Sequence, residues 1–219
     1  MNQGMAGLTL LFVWALTGRP AVAEGRRFAL DATRSSLTVR TGRGGLFSFA
    51  GHEHVIAASQ IQGEILADAA SLQASSVSLT IDAASLRVQG EGEPTEDVPK
   101  VQARMTSPEL LDVARFPDIV FRSQAVSGKA AGESHFDLLV SGDLSLHGVT
   151  RRLTFQVHVE VSGDTLTATG RGTLRQSAFG LVPVSVAGVV KVKDEVVVEY
   201  KLVGIATPEP LSSQARGNS

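Results

Sequence analysis

The chain has 219 residues, with 20 Lys and Arg against 22 Asp and Glu, a formal net charge of −2 and no cysteine. This balance gives no basic field for nucleic acid or an anionic membrane surface, and the missing thiols exclude disulfides, a lipidated cysteine and thiolate metal sites. A hydrophobic content of 43% with 19% charged residues suits a packed domain rather than a disordered chain.

Residues 1–23 read as a signal peptide. Leu8 to Leu16 is mostly apolar but far short of the ~20 residues that a membrane helix needs. Arg19 and Pro20 break the run, and Ala21, Val22 and Ala23 form an A-x-A cleavage site. Cleavage near Ala23 leaves a domain over residues 24–206, expected in the periplasm or secreted, and not membrane-spanning.

Period-two alternation dominates the rest. Leu37 and Val39 alternate with Ser36, Thr38 and Arg40; Ile61 and Ile65 with Gln60, Gln62 and Glu64; Val77, Leu79 and Ile81 with Ser76, Ser78 and Thr80. Gly90 to Glu96 is glycine-rich and acidic and reads as a loop. A short helical segment is expected near residues 99–112, with Ser107 as N-cap, Pro108 at the first helical position and Glu109 in the first turn. Ile119 and Phe121 open another strand after Pro117. Phe136, Leu138, Val140, Leu144 and Leu146 then alternate with polar residues, and a turn at Gly148 leads to Leu153, Phe155, Val157, Val159 and Val161. Gly163 and Asp164 form a tight turn before Leu166, Ala168, Gly170, Gly172 and Leu174, and a last strand spans about Val196 to Val203. Residues 207–219 read as a polar tail.

About eight strands, each apolar on one face and joined by short turns, predict an all-β, eight-stranded antiparallel up-and-down β-barrel. Such an interior is either filled by side chains or left open for one small ligand. Gly63, Gly142, Gly170 and Gly172 on the apolar face admit two readings: they leave room, or they let coiled strands bend.

His52 and His54 lie two apart, so on a strand both imidazoles face one side and could meet a metal ion or an anionic headgroup. Ordering of a loop by His52, with His54 solvated, is the plainer account. Arg175 is a candidate headgroup contact or a surface ion-pair partner. The acidic cluster Glu91, Glu93, Glu96 and Asp97 lacks calcium-loop spacing. Catalytic motifs for a serine elbow, a phosphate loop, a dinucleotide loop or a zinc helix are missing.

Four segments together resemble the YceI-like family. They are SGDLSLHGVTR from Ser141 to Arg151, Arg175 followed by Phe179 and Gly180, FPDIVF from Phe116 to Phe121, and FALD from Phe28 with Ser35, Ser36 and Leu37. The resemblance covers about residues 26–206. The chain departs from the family pattern at Met105 to Leu111, and at Gly51 to His54 it carries the Gly-His-x-His form found in some relatives. The resemblance implies a periplasmic lipocalin-like barrel holding a polyisoprenoid or related lipid, with no cofactor beyond a bound isoprenoid or quinone and no nucleic acid. Phe47, Phe49, Phe116, Phe121, Phe136, Leu138, Val140, Phe155, Val157 and Phe179 are the expected pocket lining, with His52, His54 and Arg175 toward the headgroup. Two alternatives stay open, a metal-dependent enzyme using His52 and His54 and a packed, non-ligand-binding barrel with a structural or interaction role, and a homodimer stays open as well.

Overall fold

The computed structural model describes residues 25–41, 54–90, 95–181 and 194–208. These form eleven strands: β1 (Arg26–Leu30), β2 (Ser36–Thr41), β3 (Val55–Ala58), β4 (Ile61–Ala67), β5 (Ser76–Asp82), β6 (Leu86–Val88), β7 (Asp118–Ala130), β8 (His135–Leu146), β9 (Val149–Ser162), β10 (Thr165–Arg175) and β11 (Glu195–Ala206). One helix, α1 (Val98–Thr106), lies between β6 and β7.

All pairings are antiparallel, and the ring β1-β4-β5-β7-β8-β9-β10-β11 closes when β1 returns to β11. Phe28 faces Ala206 and Leu30 faces Gly204 across that seam. A Cβ on Gly204 would lie 2.9 Å from the Cβ of Phe28, so the glycine lets the fully buried Phe28 close against β11.

The expected eight-stranded barrel is therefore present, and the surplus strands are interruptions. Both β1 and β2 pair with β11, at opposite ends of it, so they act as one broken strand. Ser59 and Gln60 break β3 from β4, and a short 3-10 turn at Ala83–Ser85 breaks β5 from β6. Period-two alternation runs through β8, β9 and β10, whose hairpin turns are tight. His147 and Gly148 both take positive φ, 51° and 73°, in the β8–β9 turn.

Helix α1 differs from the expected segment. It begins after Asp97, with Pro99 in its first turn, and stops at Thr106. Ser107 is its C-cap, donating its N–H and hydroxyl to the Arg104 carbonyl. The physical reason is Pro108: its ring pushes the preceding residue out of the helical region, and Ser107 sits at φ −72°, ψ 168°. Pro108 thus ends a helix and does not begin one.

β6 separates from β7, and α1 covers the edge this leaves. The Gln102 side chain accepts from the Val88 N–H at 3.0 Å and donates to the Leu86 carbonyl at 2.9 Å, copying a strand pairing with one amide. Val101 and Met105, both 1% exposed, pack into the core beneath. Gln102→Leu leaves two backbone groups of buried residues without those partners. It should cost about 1–3 kcal/mol, read as a lower urea midpoint at unchanged slope. A midpoint unchanged within error would mean that the amide contributes nothing to holding α1.

Candidate functional site

The apolar faces of all eight ring positions converge on one cavity of about 480 Å³. Its wall includes Phe28 from β1, Leu37 and Val39 from β2, Ile65 from β4, Val77 and Leu79 from β5, and Leu166 and Ala168 from β10. β9 is the informative strand. From Arg152 to Ser162 its burial alternates residue by residue, yet none of its 14 residues is buried, although Phe155, Val157, Val159 and Val161 face inward onto the cavity. An apolar face that points inward and remains accessible borders space that side chains do not fill.

Three of the four interior glycines explain part of that space by making room for neighbouring rings. A Cβ on Gly142 would lie 2.5 Å from Phe121 Cζ, one on Gly172 2.6 Å from Phe155 Cδ1, and one on Gly170 2.2 Å from the Tyr200 oxygen. Each glycine is a notch that receives a ring from a neighbouring strand. The three rings run edge to face, Phe121 to Phe155 at 5.5 Å and Phe155 to Tyr200 at 6.2 Å between centroids. All three rings line the cavity.

The two ends of the cavity differ. At the α1 end the lining residues Met105, Leu110, Leu111, Leu146, Gln176 and Leu181 are all buried. At the opposite end, where β1 begins and the β7–β8 and β9–β10 turns lie, the lining includes the exposed residues Arg26, Ala69, Ser76 and Glu133. That end is the mouth. Asp68 also lines it, with its carboxylate accepting from the Ala70 and Ser71 N–H groups at 2.9 and 2.8 Å.

Of the residues picked out in the sequence, Phe121, Phe136, Leu138, Val140, Phe155 and Val157 line the cavity. Phe116 and Phe179 do not, which corrects the expected lining. Phe116 follows Arg115, whose guanidinium carbon sits 5.1 Å from its ring, and meets His147 edge-on at 4.8 Å. Phe179 is 1% exposed and packs in the core within a 3-10 turn, away from the open space. Phe47, Phe49 and His52 lie outside the described residues.

Neither His54 nor Arg175 reaches the cavity wall. His54 is buried at the start of β3, its backbone N–H donating to Thr41 Oγ1 at 3.2 Å and its carbonyl accepting from the Thr41 N–H at 3.0 Å. Arg175 is exposed, next in sequence to the wall residue Leu174 and so on the outer face. It stands near Asp194, whose carboxyl is held below its ordinary pKa first by the Ser177 hydroxyl and amide and to a smaller extent by Arg175. Among the described residues no cluster of three His, Asp or Glu side chains could hold a metal ion.

Sequence reasoning missed Phe28, Tyr200, the closing residues Met105 to Leu111 and the charged mouth. Tyr200 was legible: it continues the period of Val196, Val198 and Leu202 along β11. The mouth was not, because Arg26, Asp68 and Glu133 come together only when the ring closes.

The comparisons with known proteins agree with this geometry. The YceI-like domain model matches residues 28–204. A UPF0312 protein of Pseudomonas putida (strain W619) is 35% identical over 94 residues, which is 43% of this chain and 43% of the relative. The matched stretch is thus under half the length of that curated relative. The crystal structure of Burkholderia cenocepacia BcnA superposes with a TM-score of 0.62 at 23% identity, covering 80% of this chain and 98% of that one. A polyisoprenoid binding domain from Saccharophagus degradans gives a TM-score of 0.61 at 17% identity, covering 82% and 98%. At these identities the two structures establish the shared fold.

Burial raises the pKa of the Tyr200 phenol, which donates to the Gln156 carbonyl at 3.1 Å, to about 12. As the only tyrosine, it reports directly. Phenolate absorbance should titrate near pH 12 in the folded protein and near the ordinary 10.0 in urea. Because the folded value is the higher, ionisation favours the unfolded chain: the phenol costs no stability below pH 10.0, and stability falls as pH rises from there through about 12. A folded midpoint at the ordinary value would place the ring in water.

Proposed function

The chain belongs to the YceI-like family, and on that premise we propose that it is an exported carrier holding a long apolar lipid in its barrel. The cargo would be a polyisoprenoid, an isoprenoid quinone or a fatty-acid derivative. The accessible inward face of β9 carries the reading: its residues alternate in and out from Arg152 to Ser162, and none of the fourteen is fully buried. A cavity of about 480 Å³ also falls within the usual range for small-molecule sites.

Burial alone suffices to hold such a chain. Each five-carbon unit presents on the order of 100 Å² of apolar surface, worth roughly 2.5 kcal/mol at ~25 cal/mol/Å². About four units would give roughly 10 kcal/mol gross, against an association cost of about 4–15 kcal/mol. Short chains would fall below useful affinity and longer ones would exceed it.

The role proposed is binding rather than catalysis. Apart from hydroxyls, the polar wall groups among the described residues are Arg26, Asp68 and Glu133 at the mouth and Gln176 at the far end, so the wall described between them solvates chain, not chemistry. Export rests on the leader-like stretch ending at Ala23, which would deliver the protein to the periplasm or beyond. No helix among the described residues is long and apolar enough to cross a membrane.

Protein purified without detergent from its native host should release a prenyl or acyl lipid on extraction, identified by mass analysis at close to one per chain. Ala168 is a 6% exposed wall residue whose Cβ already points inward. Ala168→Phe should keep the strand pairing and lower the recovered lipid by about tenfold or more. Recovery unchanged in a folded variant would show that the lipid sits elsewhere, and an empty wild-type barrel would contradict a carrier.

A further inference from the structure

The charges at the mouth restrict the cargo further. The one cation on the wall among the described residues, Arg26, is already engaged. Its Nη1 donates to the Gly163 carbonyl at 2.7 Å, its Nη2 pairs with Asp164 Oδ1, and its guanidinium carbon sits 5.2 Å from the centre of the Phe28 ring. Asp164 belongs to the β9–β10 turn and is not part of the wall.

With Arg26 matched by Asp164, the wall charges left at the mouth are the carboxylates of Asp68 and Glu133. The Asp68 side chain accepts from two backbone N–H groups, while Glu133 is exposed at the rim. Among the described residues the far end supplies no counter-charge, its lining being aliphatic apart from the neutral Gln176 and the thioether Met105. A polar end cannot be placed there without losing water, so the cargo enters tail first and keeps its polar end at the mouth. A carboxylate or phosphate at that position would face two like charges and, among the described wall residues, no cation other than the already matched Arg26.

We infer, resting on the carrier role above, that the barrel selects a prenyl chain ending in an uncharged polar group, and that Asp164 sharpens this selectivity by occupying Arg26. Asp164 is therefore a specificity-determining residue that need not touch the ligand. Removing its charge while keeping the turn frees the guanidinium for an anionic end. Asn suits the turn as well as Asp does.

The test is equilibrium dialysis of all-trans-geranylgeraniol and of geranylgeranyl monophosphate against protein stripped of lipid by organic extraction. The wild type should bind the alcohol about tenfold or more tightly than the phosphate, the penalty of like charges at the mouth. Asp164→Asn should tighten the phosphate about threefold with the alcohol unchanged, as one exposed ion pair is exchanged for another. Adding Arg26→Gln to Asp164→Asn should remove that gain. Equal binding of alcohol and phosphate by the wild type, or no gain with Asp164→Asn, overturns the inference while leaving the carrier role in place. Binding of neither compound overturns the carrier role and the inference with it.

Discussion

Closure of β1 onto β11 is the constraint from which the rest follows. Three residue pairs, from Phe28 with Ala206 to Leu30 with Gly204, turn a sheet with one apolar face into a ring with an apolar inside. Strand number fixes the width of that ring. Most of the wall is Val, Leu and Ile, and three of its five aromatic rings, Phe121, Phe155 and Tyr200, are received by the notches at Gly142, Gly170 and Gly172. The hollow is thus a result of which residues face inward, since a bulkier inner face on the same backbone would have filled it.

The two ends of the barrel solve opposite problems. At one end the β6 edge would stand open, and α1 closes it with the Gln102 amide above and Val101 and Met105 below. At the other end the turns carry ionisable groups that tolerate water, so the opening stays wet while the centre stays dry. A ligand with one greasy and one polar end matches that gradient in a single orientation.

Much of the architecture was legible because alternation is a local signal. The paired strands β8, β9 and β10 could be read residue by residue, and their inward sets agree with the wall. The breaks within β1–β2, β3–β4 and β5–β6 were not, since a short interruption does not reset the period. Pro108 misled for a different reason: a proline suits the start of one helix and the end of another equally well, and only the Asp97–Pro99 start decides between them. The wall itself was partly legible. Phe121, Phe136 and Phe155 followed from facing, whereas Phe116 and Phe179 are aromatic residues in turns, where no alternation says which way a ring points. The mouth was hidden, because Arg26 and Asp164 lie 138 residues apart and meet only in the closed ring.

A hollow apolar lumen has a thermodynamic signature that no polar surface site shares. Calorimetric titration with a prenyl alcohol at several temperatures measures it directly. The account predicts one ligand per barrel and a large negative heat-capacity change, the mark of hydrocarbon withdrawn from water. Binding with a heat-capacity change near zero, or heat only at many ligands per chain, would contradict it.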